Sequence, residues 1–468
     1  MSSQHTSQSH DPGTDVLAVD FAARITAAVV ANGGTVAEAV RYGREILSRA
    51  GVEHSDLDAS YGAVGINWLD PDGRPRLRME RVDSYGFDYG VLTHASNIAA
   101  DYIQGVTTLS EARGHLAEIG TTAKSWSKKV TVIATAAAGA AAPLVYGGDW
   151  IVSIAGVISY LTLVFLMQKL GQLRWPSFFI QIAAGVLATA AAAAMRLLDP
   201  QVDPTSVVIS IIIIMMAGMA STSAVQDTIT GHYMHGLGRI YEGLVNTAGL
   251  VVGVRLGAGL FSALGVPLPV TNDVSMASIP LWLMLIAAAF VAVGNGIILQ
   301  SPARVVFPTA TLAILVYAVY AALSTGQGAD AWARGAAAFT AGIGTAILPR
   351  WVKAPSSAMS ITSFLVLLPG TLLYQGIWGS SLSGGQALYY LSSAFIAALS
   401  LAAGLMVGQY VGVVVLNALK VARNRIFTPV FSSLASNHPL TRRGGATSNA
   451  TDSAPAGDGG RHDGDGAR

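Results

Sequence analysis

The 468-residue chain has no cysteine. Disulfide frameworks, thiol catalysis and cysteine-ligated metals are therefore excluded. Charge is scarce too. Only 12% of residues are Asp, Glu, Lys or Arg, against the roughly 25% usual in soluble domains. The net charge is +1, and no basic stripe with interleaved aromatics appears, so a nucleic-acid partner is not expected. Met1 to Thr14 is polar and lacks the apolar core of a signal peptide. No phosphate-loop motif, HExxH run, nucleophile elbow or carboxylate cluster occurs. We therefore expect no catalytic residues, cofactor or metal.

What the chain has is apolar length. Hydrophobic residues make up 52%, glycine numbers 51, and mean hydropathy is +0.51. Ten apolar stretches fall at 129–147, 151–170, 178–198, 205–225, 238–262, 279–300, 305–324, 332–348, 361–379 and 387–418. Most approach the ~20 residues that cross a ~30 Å hydrocarbon layer. The expected fold is a mainly α, polytopic membrane protein in the lipid bilayer.

Residues 15–128 read as a small cytoplasmic α+β domain. Phe21, Ile25 and Val29 recur at helical spacing. Thr35 with Glu38 forms a capping box for a second helix. Strand-like runs at Ala59–Leu69 and Arg76–Val82 flank the turn signal Pro71-Asp72-Gly73. Helices follow near Tyr89–Gln104 and Leu109–Ile119, the latter capped by Ser110. Residues 1–14 and 430–468 read as disordered tails, too poor in large apolar groups to fold.

Loop charges orient the chain. With the N-terminal domain inside, inner loops hold Lys169, Arg174, Arg239, Arg304, Arg350 and Lys353, while outer loops hold Arg196 and Arg334. This obeys the positive-inside rule and places both termini in the cytoplasm of a plasma-membrane protein.

The spans divide into two five-helix halves, 129–262 and 279–420. Gly249, Gly253 and Gly257 ridge the fifth span; Gly404, Gly408 and Gly412 ridge the tenth. A five-helix unit repeated once inserts in opposite orientations, as in many secondary transporters. The ridges could instead serve only to pack helices, within one chain or between copies in a homo-oligomer.

Met216-Ala217-Gly218 interrupts the fourth span, and Leu368-Pro369-Gly370 the ninth. Proline removes a helix bond, and glycine beside it permits a bend. Paired interruptions point to a transporter's binding site, where freed backbone groups need a polar ligand or water. Gly218, Ser221, Thr222, Pro369, Gly370, Thr371 and Tyr374 are the candidate substrate-binding residues. Gly218 could equally be a close-packing position, and Pro369 an ordinary kink. Asp227, Arg239 and Glu242 are ionisable residues near the membrane edge and candidates for proton coupling or gating. Arg239 and Glu242 stand three apart and could pair, although Arg239 could also be a positive-inside anchor. His232 and His235 lack further ligands for a metal.

Asp227, Gly231, Gly236, Arg239 and Glu242, together with Pro369-Gly370 and the strand end Arg81-Val82, resemble the threonine/serine exporter family. The resemblance covers about residues 15 to 420. In the first half, Ala217-Gly218 stands where the family often has Pro-Gly. The resemblance implies a cytoplasmic domain, ten helices in two halves, and proton-driven export of threonine and serine. Two other readings stay open. One is dicarboxylate export by the same fold, which needs more fixed positive charge. The other is a membrane-anchored hydrolase using Ser84, His94 and Asp101, whose spacing fits no motif.

Overall fold

The computed structural model describes residues 12–52, 54–70, 72–119, 124–145, 150–200, 202, 204–212, 218–268, 279–324, 330–379 and 384–418. Both expected tails lie mainly outside these residues, although the first helix already begins at Pro12.

The N-terminal region runs α1 (Pro12–Ala31), α2 (Val36–Ala50), β1 (Ser55–Ser60), β2 (Ala63–Leu69), β3 (Pro75–Arg81), α3 (Tyr89–Gln104) and α4 (Leu109–Glu118). The strands form an antiparallel meander in the order β1-β2-β3. Val64, Ile66 and Trp68 alternate inward along β2 and join Phe21, Ile25 and Val29 of α1 in one core. The run expected as a single strand is a hairpin. Gly62, at φ +96°, folds it between Ser60 and Ala63, a backbone angle that glycine adopts without strain. The cap of α4 is Thr108 rather than Ser110. Thr108 accepts from the Glu111 N–H, and the Glu111 carboxylate accepts from the Thr108 N–H.

The apolar part runs α5 (Lys128–Val145), α6 (Trp150–Gln172), α7 (Ser177–Leu198), α8 (Pro204–Ile212), α9 (Gly218–Ile229) and α10 (Tyr233–Ala263). It continues with α11 (Leu281–Ile298), α12 (Ala303–Leu323), α13 (Asp330–Ile347), α14 (Pro349–Val352), α15 (Ser356–Ser363), α16 (Gly370–Gly379) and α17 (Gly384–Ala418). Seven of these helices, α5, α6, α7, α10, α11, α12 and α17, are long and apolar enough to cross a membrane. α15 and α16 form a bent eighth, with an angle of 54° between them. The chain is thus a polytopic membrane protein. α8 with α9, and α13, correspond to the other two stretches read from the sequence.

Two helix pairs carry the packing. Gly249, Gly253 and Gly257 of α10 lie on the backbone of α7 at Phe178, Ile182 and Val186. Gly404, Gly408 and Gly412 of α17 lie on α13 at Gly335, Phe339 and Ile343, in the same order and spacing. A side chain at either central glycine would run into the facing carbonyl, of Ile182 or of Phe339. Both ridges therefore pack within the chain.

Candidate functional site

The ninth stretch begins five residues earlier than its hydropathy indicates. Ser356, Ser357, Ser360, Thr362 and Ser363 lower its apolarity, yet all are buried. Several hydroxyls bond back to their own helix: Thr362 donates to the Ala358 carbonyl and Ser363 to that of Ser360. After α15 comes a single 3₁₀ turn at Leu365–Leu367, then extended backbone at Leu368 (ψ 141°), and α16 restarts at Gly370. Pro369 cannot donate a backbone bond, so the helix parts where the sequence indicates. The Arg334 guanidinium of α13 donates to the Leu367 carbonyl at the break, while its Nε holds Asp330 at 2.8 Å. Arg334, counted as an outer-loop charge, is thus a brace for a broken helix.

In the fourth stretch, α9 starts at Gly218; Met216 and Ala217 lie outside the described residues. Thr222 and Ser223 are buried, and among the described residues their hydroxyls have no bond partner. One turn on, Gln226 and Thr230 reach a small cavity of about 20 Å³. Ser356, Ser357 and Ser360 of α15 and Gln409 of α17 complete its polar lining, and Thr35 of the N-terminal region closes one side. The lining is uncharged. Gln409 is fixed by a bond to Thr345 at 3.4 Å. A polar cavity therefore does lie between the fourth and ninth stretches, a turn or more from the ninth-stretch break. The expected residues Gly218, Ser221, Thr222, Pro369, Gly370, Thr371 and Tyr374 do not line it. Tyr374 is buried instead in a core of the first half, with Val207, Val208 and Leu250.

The ionisable residues gather at the α9–α10 turn, where Gly231 (φ +90°) reverses the chain. Gly236 lets α10 touch the Ala224 carbonyl and Thr228 of α9. His235, Arg239 and Glu242 line one face of α10, at spacings of four and three. Asp227 and His235 are fully buried, with Oδ2 and Nδ1 3.0 Å apart. The other Asp227 oxygen accepts the Val36 N–H, the first residue of α2, at 3.0 Å. A carboxylate suits the positive end of a helix. Arg239, 2% exposed, lies over the rings of Tyr85 and Phe87, 5.7 and 5.8 Å from their centroids. Glu242 accepts from the Tyr61 hydroxyl at 3.1 Å. Burial and this carboxylate together push the Tyr61 phenol up to about 12. Arg239 and Glu242 do not form the expected pair with each other; both turn to the N-terminal region.

The other half is gripped as well. Ser357 donates to Glu38 at 2.6 Å. Glu38 was expected to bond back within its own capping box; Thr35 still accepts the Glu38 N–H, but the carboxylate crosses to α15. Burial raises its pKa, against the lowering effects of Ser357, Arg41 and the Ser356 N–H. The Tyr89 N–H donates to the Leu299 carbonyl at 2.8 Å, and Trp126 Nε1 to that of Ser301 at 2.6 Å.

A family model described as "Putative threonine/serine exporter" matches residues 20–261, and a second, "Threonine/Serine exporter, ThrE", matches residues 284–411. The chain belongs to the threonine/serine exporter family. A "Threonine/serine exporter" of Corynebacterium glutamicum is 25% identical over 406 residues, covering 84% of this chain and 82% of that one. A "Probable threonine/serine exporter" of Mycobacterium tuberculosis is 23% identical over 407 residues, covering 84% and 76%. No solved structure matches.

Asp227, Arg239 and Glu242, on which the sequence resemblance rests, thus lie where the N-terminal region docks. Sequence reasoning missed Thr35, Glu38, Gln226, Ser357, Ser360 and Gln409, because each gains its place from partners far along the chain. The buried run of hydroxyls from Ser356 to Ser363 was the one legible hint. Among the described residues no group of His, Asp and Glu could hold a metal. No hydrogen bond joins Ser84, His94 and Asp101; the His94 ring lies 3.0 Å from the Gly90 carbonyl of its own helix.

Proposed function

We propose that this chain is a ten-span secondary transporter of two inverted five-helix repeats, exporting threonine, serine and similar small hydroxylated amino acids on the proton gradient. The observation that carries the reading is the polar cavity between α9 and α15, beside a helix that breaks at Leu368-Pro369. Its hydroxyls and amides can meet a zwitterion and a side-chain hydroxyl. An uncharged lining disfavours a dicarboxylate, which needs fixed cations for two carboxylates. The relatives' names point the same way.

The ten-span drawing has independent support. The N-terminal region touches the chain at Asp227 to Glu242, at Leu299 to Ser301 and at Ser357. These are the connections after the fourth, sixth and eighth spans. In a ten-span chain all lie on the face that carries the N-terminus. The matching glycine ridges support a repeat, and five helices per repeat imply opposite orientations. The excess of positive charge in the loops on that face favours the cytoplasmic side for it.

In this reading the cavity receives the substrate. Gly218, Ser221, Thr222, Pro369, Gly370, Thr371 and Tyr374 flank its onward route past the break. Asp227 takes the proton with His235 as partner, and Arg239 and Glu242 gate. The test is efflux of labelled threonine from preloaded cells. Efflux should depend on this chain, collapse with an uncoupler, and fall about tenfold or more in the Ser357→Ala, Ser360→Ala double variant, which loses two bonds of about 1 kcal/mol each. Efflux indifferent to the uncoupler removes the coupling; efflux indifferent to the double variant removes the site.

A further inference from the structure

The cavity is far too small for an amino acid. About 20 Å³ holds one or two waters, whereas small-molecule sites start at roughly 300 Å³. Something must move before a substrate can occupy it. The wall that is not a membrane helix is Thr35, the N-cap of α2.

The hold on α2 is polar. Asp227 of α9 accepts the Val36 N–H, and Glu38 of α2 accepts from Ser357 of α15. The α2 start is therefore tied once to each of the two helices between which the cavity lies. Around these ties lie Arg239 over Tyr85 and Phe87, and Tyr61 on Glu242; the apolar part of the contact is Ala358 of α15 and Leu299 against the N-terminal core, and Phe87 against the membrane core. Hydrogen bonds of this kind exchange with water at small net cost. The start of α2 can therefore lift from its two polar ties while the apolar contacts at Ala358, Leu299 and Phe87 keep the region attached.

Resting on the export reading above, we propose that the N-terminal region is the inner gate of the path: Thr35 and the start of α2 form the cytoplasmic wall of the cavity, and lift from Asp227 and Ser357 to admit substrate. Arg239 and Glu242 of α10 are then the seat of this gate. Asp227 has two tasks in one place, since the carboxylate that would carry the proton is the one that holds α2.

The absence of native cysteine makes the test clean. Ser360→Cys places one thiol in the cavity. In inside-out vesicles, a small impermeant thiosulfonate should label it slowly, and about tenfold faster once Arg239→Ala loosens the seat. Tyr61→Ala, on the opposite partner, should do the same; a variant that fails to elute as folded protein is replaced by the other. Separately, Tyr61→Cys with Glu242→Cys, bridged by a bifunctional thiosulfonate, should stop threonine efflux, and reduction should restore it. Labelling that ignores both seat variants, or efflux that survives the bridge, overturns the gate. If the unmodified chain exports no threonine yet labelling still responds to the seat, the substrate reading fails and the gate stands.

Discussion

The α7–α10 pair and the α13–α17 pair are built on one backbone plan with different chemistry. Gly185 abuts the Leu250 carbonyl and Val254; Gly342 abuts the Leu405 carbonyl and Gln409 at the matching place. Where the first pair carries Val254, buried and apolar, the second carries Gln409, bonded to Thr345 and facing the cavity. The difference teaches that close backbone approach is what the two pairs share. Of the two glycine-ridged pairs, only the second places a polar side chain on the cavity, whose other walls come from α9, α15 and Thr35.

The largest expected effect tests the shared part. Gly253→Val and Gly408→Val each force a side chain into a facing carbonyl. Each should cost about 3 kcal/mol or more, seen as loss of monodisperse protein in detergent. If one half tolerates the change while the other collapses, the equivalence of the two pairs is broken. Next, Gln409→Val gives the second pair the residue of the first. Threonine efflux should drop about tenfold, because one polar wall of the cavity is lost, while the melting temperature holds. An unchanged efflux would show that the asymmetry is incidental.

A smaller effect concerns the break. Arg334→Ala removes the donor that satisfies the Leu367 carbonyl, with an expected cost of about 1–3 kcal/mol in thermal unfolding. A melting temperature that does not move would show that the break needs no brace. The smallest effect is in pH. Docking buries Glu38 beside Ser357, with Arg41 as the nearby cation, and raises its pKa. A raised carboxyl pKa means the docked form takes up the proton more readily than the free form. Docking is therefore most favourable below the ordinary carboxylate range and weakens as pH climbs through the raised value, by at most about 1.4 kcal/mol per unit. With each rate divided by that of a freely exposed cysteine at the same pH, which removes the rise in thiolate fraction, labelling of Ser360→Cys should quicken with rising pH, and Glu38→Gln should flatten that slope; a slope that persists in Glu38→Gln assigns it to another group.

Much of the fold was legible because its signals are local. Pro369-Gly370 breaks a helix wherever it stands, and glycines four apart make a ridge on any helix. Hydropathy found the long spans but placed the start of the ninth at 361 instead of Ser356, since buried hydroxyls look like loop residues to a hydropathy scale. The site was far less legible. Val36 and Asp227 are 191 residues apart, Glu38 and Ser357 319 apart. Thr35 and Glu38 carry a clean local signature, and the structure uses half of it locally and sends the other half across the molecule. Arg239 and Glu242, read as neighbours on one helix, each found a better partner in an aromatic ring or a phenol.

By itself, then, the amino-acid order determined that this chain lives in lipid, where its helices bend, and which backbones come close. Those properties depend on transfer free energy and steric limits of a few adjacent residues. The tertiary structure alone decided which buried polar groups face one another, and so made a wall of the membrane cavity out of the first turn of α2. A buried donor or acceptor has to find a partner, and that partner is set by how the whole chain closes, not by its neighbours along it.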